Sequence, residues 1–355
     1  MIKYLGSKRR LVPVLGAMVG AVGARTALDL FTGTTRVAQE LKQRGTTVTA
    51  VDTARYSEVL ARTYVEQDAR LVDRVALSDA LRHLASLPGR AGYVTETFCV
   101  RSRFFQPHNG ERIDAIRDAI DREHPDGPLR PLLLASLLEA ADRVDSTTGV
   151  QMAYVKEWAP RSYKPLELRE PKLIDGPGHA RRADACTVTG SLGSFDAAYL
   201  DPPYNQHRYF TNYHIWETLV AWDAPDHYGV ACKRTDARDP ATRSPFNVRR
   251  EMPVALASVL RDVQADVAVL SYNDEAWVSL DELRAMCEHR GAVEVLAFDS
   301  RRYVGAQIGI HNPSGERVGT VSHLHNQEYL VVSGDPAAVR RAADAGRTAT
   351  LAASS

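Results

Sequence analysis

Asp201, Pro202, Pro203 and Tyr204 close an apolar run, FDAAYL at 195–200, that reads as a buried strand. Proline has no amide hydrogen and a fixed φ, so the strand must end there. Its tip then carries a carboxylate, a carbonyl held between rigid residues and an aromatic ring. This set suits one kind of reaction. The exocyclic amino group of a nucleobase is a poor nucleophile, because its lone pair is delocalised into the ring. To attack a methyl sulfonium it needs acceptors that hold its N–H groups and favour a more tetrahedral nitrogen. The Asp201 carboxylate and the Pro202 carbonyl are two such acceptors, and the fixed φ of Pro202 and Pro203 holds the carbonyl in place. Tyr204 offers a face on which a base stacks. Rate enhancement would come from positioning and from electrostatics aimed at the transition state. The bland alternative is a rigid strand end without chemistry.

A second stretch, LDLFTGTTRVA at 28–38, reads as a strand, a turn and a helix start. In an open α/β sheet, ligands bind beyond the carboxyl ends of the strands. Gly33 in the first such turn lets a ligand approach the backbone. Asp52 closes the next strand, 19 residues beyond Gly33, where a carboxylate can accept both ribose hydroxyls of a nucleoside cofactor. That spacing suits NAD and S-adenosylmethionine equally. The GxGxxG phosphate fingerprint is absent, which disfavours a pyrophosphate and hence a dehydrogenase.

These tips need a sheet to hold them. TALDLF (26–31) and TTVTAVD (46–52) read as strands, and RVAQELKQRG (36–45) and YSEVLARTYVEQD (56–68) as helices. This βαβ rhythm predicts a parallel sheet with helices on both faces. It breaks near residue 93. Helical patterns follow in GERIDAIRDAIDREH and PLRPLLLASLLEAADRVD. Strand patterns resume at 195–200, 266–273, 292–298 and 326–332, with a helix at 279–291 between two of them. The expected architecture is an α/β, Rossmann-like catalytic domain built from 1–92 and 183–334. A helical insert at 93–182 interrupts it, and a frayed tail follows at 335–355.

With these motifs on the page, the chain resembles the D12 class of DNA adenine-N6 methyltransferases over roughly residues 1–333. KYLGSK (3–8) is similar to that family's amino-terminal motif, LDLFTGTT to its FxGxG loop and 201–204 to its catalytic motif. The resemblance implies an S-adenosylmethionine-dependent fold of the α arrangement and a target adenine flipped from duplex DNA. It implies that Tyr4 and Lys8 flank the methionine end of the cofactor, that Phe31 and Gly33 form the loop, and that Asp52 binds the ribose. Relatives touch the cofactor adenine about fourteen residues before the catalytic motif, which points to Thr187 and Val188. Two departures stand out: Ser7 replaces the second Gly of the first motif, and Thr35 the last Gly of the loop. Aromatics some ten to fifteen residues past the catalytic motif close over cofactor and target in relatives, so Tyr213 and Trp216 are candidates.

The residues themselves add further DNA candidates. Arg208 and Tyr209 suit a phosphate and an extruded base. Trp216 also fits the core face of a helix with Leu219 and Val220. In the insert, Arg101, Arg103, Lys156 and Lys164 are candidate phosphate contacts, although 99–182 holds 14 basic and 13 acidic residues and is no basic patch. Its loop at 145–158 is polar and contains Gly149, as tips that reach DNA often are. The formal net charge of the 355-residue chain is zero, so any polyanion site must be local. Residues 1–28 carry Lys3, Lys8, Arg9, Arg10 and Arg25 and no acid. Cys99, Cys186, Cys232 and Cys287 form no CxxC pair, so neither a zinc site nor a disulfide framework is expected. The amino terminus is too diluted by Gly and Pro for a signal peptide or span. A cytoplasmic monomer or weak dimer acting on double-stranded DNA is expected, with a cognate restriction endonuclease as a further partner. The rival readings are cytosine-N4 or RNA methylation by the same chemistry, and a DNA-binding regulator that has lost catalysis. The intact 201–204 motif disfavours the regulator.

Overall fold

In the computed structural model, residues 2–4, 8–301, 310–311, 317–319 and 325–354 are described. Strands β1 (Thr26–Leu30), β2 (Thr47–Asp52), β3 (Gly178–Arg182), β4 (Ser194–Leu200), β5 (Gln264–Asn273), β6 (Ala292–Arg301) and β7 (His325–Gly334) form one sheet. Their order is β3-β2-β1-β4-β5-β7-β6. β1 is parallel to β2 and β4, β2 to β3, and β4 to β5, whereas β7 runs antiparallel to β5 and β6. The chain leaves β1 toward β2 and returns later to pair β4 on its other side. The loops after β1 and β4 therefore diverge, and a crevice opens between them.

Alternate residues of each strand face opposite layers. Ala27, Ala197 and Tyr199 pack with helices α1 (Val12–Ala21) and α2 (Arg36–Gln43) on one side. Leu28, Leu30, Ala198 and Leu200 face the other side. A further cluster joins α3 (Arg55–Ala61), α4 (Arg74–Ser86), α5 (Pro107–Glu123), α6 (Leu129–Val144) and α7 (His214–Ala221). Helices α8 (Met252–Asp262) and α9 (Leu280–Cys287) cover the sheet beside β5. The helical block thus shares one core with α3 and α7, which follow β2 and β4. Arg117 of α5 strengthens that junction. Its buried guanidinium donates to the Leu219 carbonyl at 2.6 Å and the Val220 carbonyl at 3.1 Å, at the end of α7.

The βαβ start, the α5 and α6 patterns and the later strands fall where the sequence predicts them. The tail corrects the expectation. Residues Pro336–Ser354 form helix α10, and Ala338, Val339, Ala342 and Ala343 are buried against α1 and the sheet. Small side chains at three- and four-residue spacing let this helix approach closely. At Gly346, an added Cβ would lie 2.7 Å from Leu296 and 3.2 Å from Met18. β3 carries no strand signal in the sequence, because its residues, GHARR, lack β-branched side chains. Among the described residues no helix is long and apolar enough to cross a membrane.

Candidate active site

Three strand ends converge on the crevice. After β1 the chain turns through 31–35 with three left-handed residues, Phe31 (φ 69°), Gly33 (φ 53°) and Thr35 (φ 62°). Thr35 takes this conformation despite its Cβ, held by its hydroxyl bond to the Thr34 carbonyl (2.7 Å) and by Gln39 donating to it (2.8 Å). The loop keeps a glycine-like shape without the glycine, at a backbone cost of about 1–2 kcal/mol. After β2, Asp52 accepts the Gly33 amide at 2.9 Å and the Ala54 amide at 3.0 Å, which locks the two turns together. Burial nevertheless pushes its carboxyl up. After β4, the Asp201 amide reaches the Leu30 carbonyl at 3.4 Å, and Pro202 and Pro203 then end the pairing.

Asp201 is half-buried, with the Lys8 ammonium 3.3 Å from its carboxylate. Burial pushes the Asp201 carboxyl up to about 6; Lys8 pulls it down and Glu328 adds to the rise. Lys8 is itself buried at 6% exposure. Burial opposes its charge, but Asp201, Tyr204 and Glu328 outweigh this and hold the ammonium protonated. Its position is fixed because its carbonyl starts α1, accepting the Leu11 and Val12 amides at 2.7 and 2.9 Å. Tyr204 packs its edge on Tyr272 (5.5 Å between centroids) and lies 5.8 Å from the Lys8 nitrogen. Among the described residues nothing donates to the Pro202 carbonyl.

Two adjoining cavities share Tyr4, Phe31 and Asp201. The larger runs from Phe31, Val51 and Asp52 past Ala183, Asp184 and Ala185 to Asp201, Pro203, Arg208 and Tyr209. Phe246 packs on Phe31 at 5.0 Å. Asn247 donates to the Asn205 and His207 carbonyls (2.9 and 3.1 Å) and so pins the loop after residues 201–204. The smaller cavity holds Lys8, Asp29, Gly33, Thr34 and Arg36. Asp29 is buried on β1. Its Oδ2 accepts Thr32 and Ala38, while its Oδ1 has no hydrogen-bond partner. Burial raises its carboxyl to about 7.

The structure therefore brings together Tyr4, Lys8, Phe31, Gly33, Asp52, Asp201, Pro203, Arg208 and Tyr209. Other candidates stand elsewhere. Thr187 and Val188 do not reach the cavity: the first is exposed, the second is buried under the short helix Ala185–Val188, and Asp184 and Ala185 occupy the rim instead. Asp184 was legible as an acid before a helix start, since it caps that helix through the Cys186 amide at 2.8 Å. Tyr213 and Trp216 are each 1% exposed in the core, so neither can meet a base. Tyr213 instead stacks under Tyr4 at 4.7 Å, with Tyr209 stacked on Tyr4 at 5.3 Å. Arg101 pairs with Glu96. Arg103 lies over the Trp158 ring and donates to the Lys156 carbonyl at 2.7 Å, so it holds the loop. Lys156 and Lys164 are exposed. Of KYLGSK, residues 5–7 lie outside the described set.

The sequence pattern of the D12 class N6 adenine-specific DNA methyltransferases matches residues 4–286, which contain the three strand ends that converge on the crevice. The chain belongs to that family. As a D12 class enzyme it resembles the type II methyltransferase M.NlaIII of Neisseria lactamica, at 30% identity over 340 residues, 91% of this chain and 98% of that protein. It also resembles the modification methylase StsI of Streptococcus sanguinis, 27% identical over 86% of this chain, and the type II methyltransferase M.FokI of Planomicrobium okeanokoites, 25% identical over 82%. It spans about half the length of those two, 50% and 48%. The chain is thus a site-specific DNA methyltransferase of the adenine-N6 class.

Proposed function

We propose that this D12 class enzyme uses S-adenosylmethionine and methylates an adenine flipped out of duplex DNA, with the motif 201–204 as its catalytic centre. The observation that carries this reading is the convergence of Phe31, Asp52, Asp184 and Asp201 on one cavity at the switch point of the sheet. The residues fit the cofactor. Phe31 and Ala185 offer an apolar slot for its adenine, and Asp184 an acceptor for its amino group. Asp52 has lone pairs left for ribose hydroxyls. In the smaller cavity, the unpartnered Oδ1 of Asp29 fits the ammonium of the methionine end, beside the Gly33 backbone. When bound, S-adenosylmethionine supplies an electrophilic methyl group.

Everything else falls to the chain. An adenine inside a duplex cannot reach this crevice, so it must leave the stack. The Asp201 carboxylate and the Pro202 carbonyl then accept the two N–H groups of its amino nitrogen, and Tyr204 stacks on the ring. Lys8 holds Asp201 ionised at neutral pH. Tyr209, stacked on Tyr4, closes the other side. The helical block, with exposed Lys156 and Lys164, faces the duplex outside the target. Relatives named as type II and modification methylases support pairing with a cognate restriction endonuclease.

Calorimetric titration with S-adenosylmethionine and, in parallel, with NAD tests the cofactor; tighter binding of NAD would overturn it. Modification-sensitive sequencing of DNA from an expressing host reports base and motif together.

A further inference from the structure

A wide groove opens in front of the active-site crevice, between the amino-terminal arm and the loop at 147–161. Its charged walls are Lys3, Arg9, Arg36, Arg161 and Glu157, with Trp158 beside them. Two of its cations are already neutralised. Lys3 lies 3.0 Å from Asp142 and 3.2 Å from Asp145, and Arg161 lies 2.6 Å from Asp145. These bonds tie the arm to the loop. Arg9 and Arg36 differ. Among the described residues neither has a carboxylate within ion-pair distance, Glu157 included. The Arg36 Nε is buried with no hydrogen-bond partner.

The two guanidiniums also act on each other. Burial and the charge of Arg9 both weaken the hold of Arg36 on its proton, and the smaller pull of Glu139 opposes them. Glu139 is engaged with Tyr64 at 2.5 Å and Arg143 at 3.9 Å. Like charges set side by side, one of them with a buried unpaired donor, are costly unless an anion completes the arrangement. Guanidinium forks fit the paired oxygens of a phosphate. Arg36 opens α2, whose amino end adds a favourable field for an anion.

We propose that Arg9 and Arg36 clamp a backbone phosphate of the DNA strand that carries the target base. The inference rests on the proposed function and locates the strand within it. Tyr4 lines both the groove and the crevice, so a strand held by the two arginines would pass directly in front of Asp201. Arg36 also lines the smaller cavity, whereas Arg9 lines only the groove. A ligand seated wholly inside the crevice, such as the cofactor carboxylate, would leave Arg9 unexplained.

The test uses the full chain and a labelled duplex carrying the site methylated in an expressing host. Duplex affinity is measured at several salt concentrations for the parent, Arg9→Gln, Arg36→Gln, the double variant and Arg36→Lys. Each lost phosphate contact lowers the slope of log affinity against log salt by about one. Each Gln variant should show that loss, the double variant about twice it, and Arg36→Lys should keep the parent slope. Calorimetric affinity for S-adenosylmethionine should stay at the parent value in Arg9→Gln, since Arg9 lines only the groove. Arg9 is exposed, so Arg9→Gln reports on the clamp without a folding risk. Parent slopes in both Gln variants would overturn the proposal. An intact slope with lost cofactor affinity in Arg36→Gln would overturn it too, assigning Arg36 to the cofactor carboxylate. A parent protein that neither methylates nor binds duplex would instead refute the underlying function.

Discussion

In the proposed mechanism Asp201 acts as an acceptor, so its charge state would set the pH dependence of the reaction. Burial holds its carboxyl at about 6 against the pull of Lys8. Turnover should therefore fall as pH drops through about 6, as Asp201 takes up a proton. In Lys8→Met the opposing charge is gone, and the same limb should move to higher pH; a pH–rate profile of both proteins shows this. A limb that stays in place would mean that Lys8 does not tune Asp201. Asp201→Ala removes an acceptor that counts most in the transition state, and should cost on the order of a hundredfold or more in turnover. The fold should survive, because Glu328, 3.8 Å away, still pairs with the buried Lys8 when Asp201 is gone. The loop has its own sensitivity. Gly33 sits at φ 53°, and a Cβ there would lie 3.0 Å from the Tyr4 ring. Gly33→Ala should destabilise by about 1 kcal/mol through strain alone. It should also weaken S-adenosylmethionine binding by displacing Tyr4, as calorimetry would report.

At the scale of elements, the helical block and the catalytic helices are joined through buried side chains. Arg117 satisfies two carbonyls where α7 ends, and Asp121 balances its charge at 2.8 Å. Glu217 of α7 accepts the Arg55 amide at 2.7 Å, capping α3. Only the short helical turn Tyr209–Asn212 separates α7 from the loop that Asn247 pins, so the block can position residues 201–204. Arg117→Ala would strand both carbonyls in a dry site and leave a void. A loss of about 2–4 kcal/mol is expected in chemical denaturation. Turnover should fall at temperatures where the variant is still folded. Parent-like stability would mean that the block is joined through its apolar contacts alone.

For the whole molecule, three strand-end carboxylates crowd one crevice, and the fold bears their repulsion. Burial first, and Asp201 and Asp52 after it, hold Asp29 at about 7, above its ordinary range near 4. A carboxyl raised by folding stabilises the native state fully below its unfolded pKa, and that contribution is lost as pH rises through the folded value. The protein without cofactor should therefore lose stability between about pH 4 and 7 through Asp29. Asp29→Asn keeps an oxygen for Thr32 and Ala38 but cannot ionise. Its stability relative to the parent should rise across that window and level off above it, measured by denaturant midpoints at each pH. A difference that does not vary with pH would show that Asp29 stays ionised in the fold.

Local chemistry made much of this protein legible from its sequence. Prolines had to end β4 at Asp201, and the βαβ period had to give a parallel sheet with ligands beyond its strand ends; that β4 pairs with β1 and opens a crevice there was settled by the tertiary structure. The positions of Phe31, Gly33, Asp52 and Asp201 around two adjoining cavities follow from strand ends, because each sits at or just past the end of a strand. What packs against what was not written locally. Trp216 and Tyr213 have the residue types of a base-stacking surface, yet the core of the helical block took them. Thr187 was displaced by Asp184, because a short helix turns it outward. The tail, rich in Ala and Arg, became α10 because α1 and the sheet edge offered a matching apolar face. Arg9 and Arg36 lie far apart in the chain from the loop at 147–161, and the tertiary fold, with Lys3 and Arg161 both bonded to Asp145, brings them to one groove. Strand ends are fixed by neighbours in sequence; burial and charge pairing are fixed by neighbours in space.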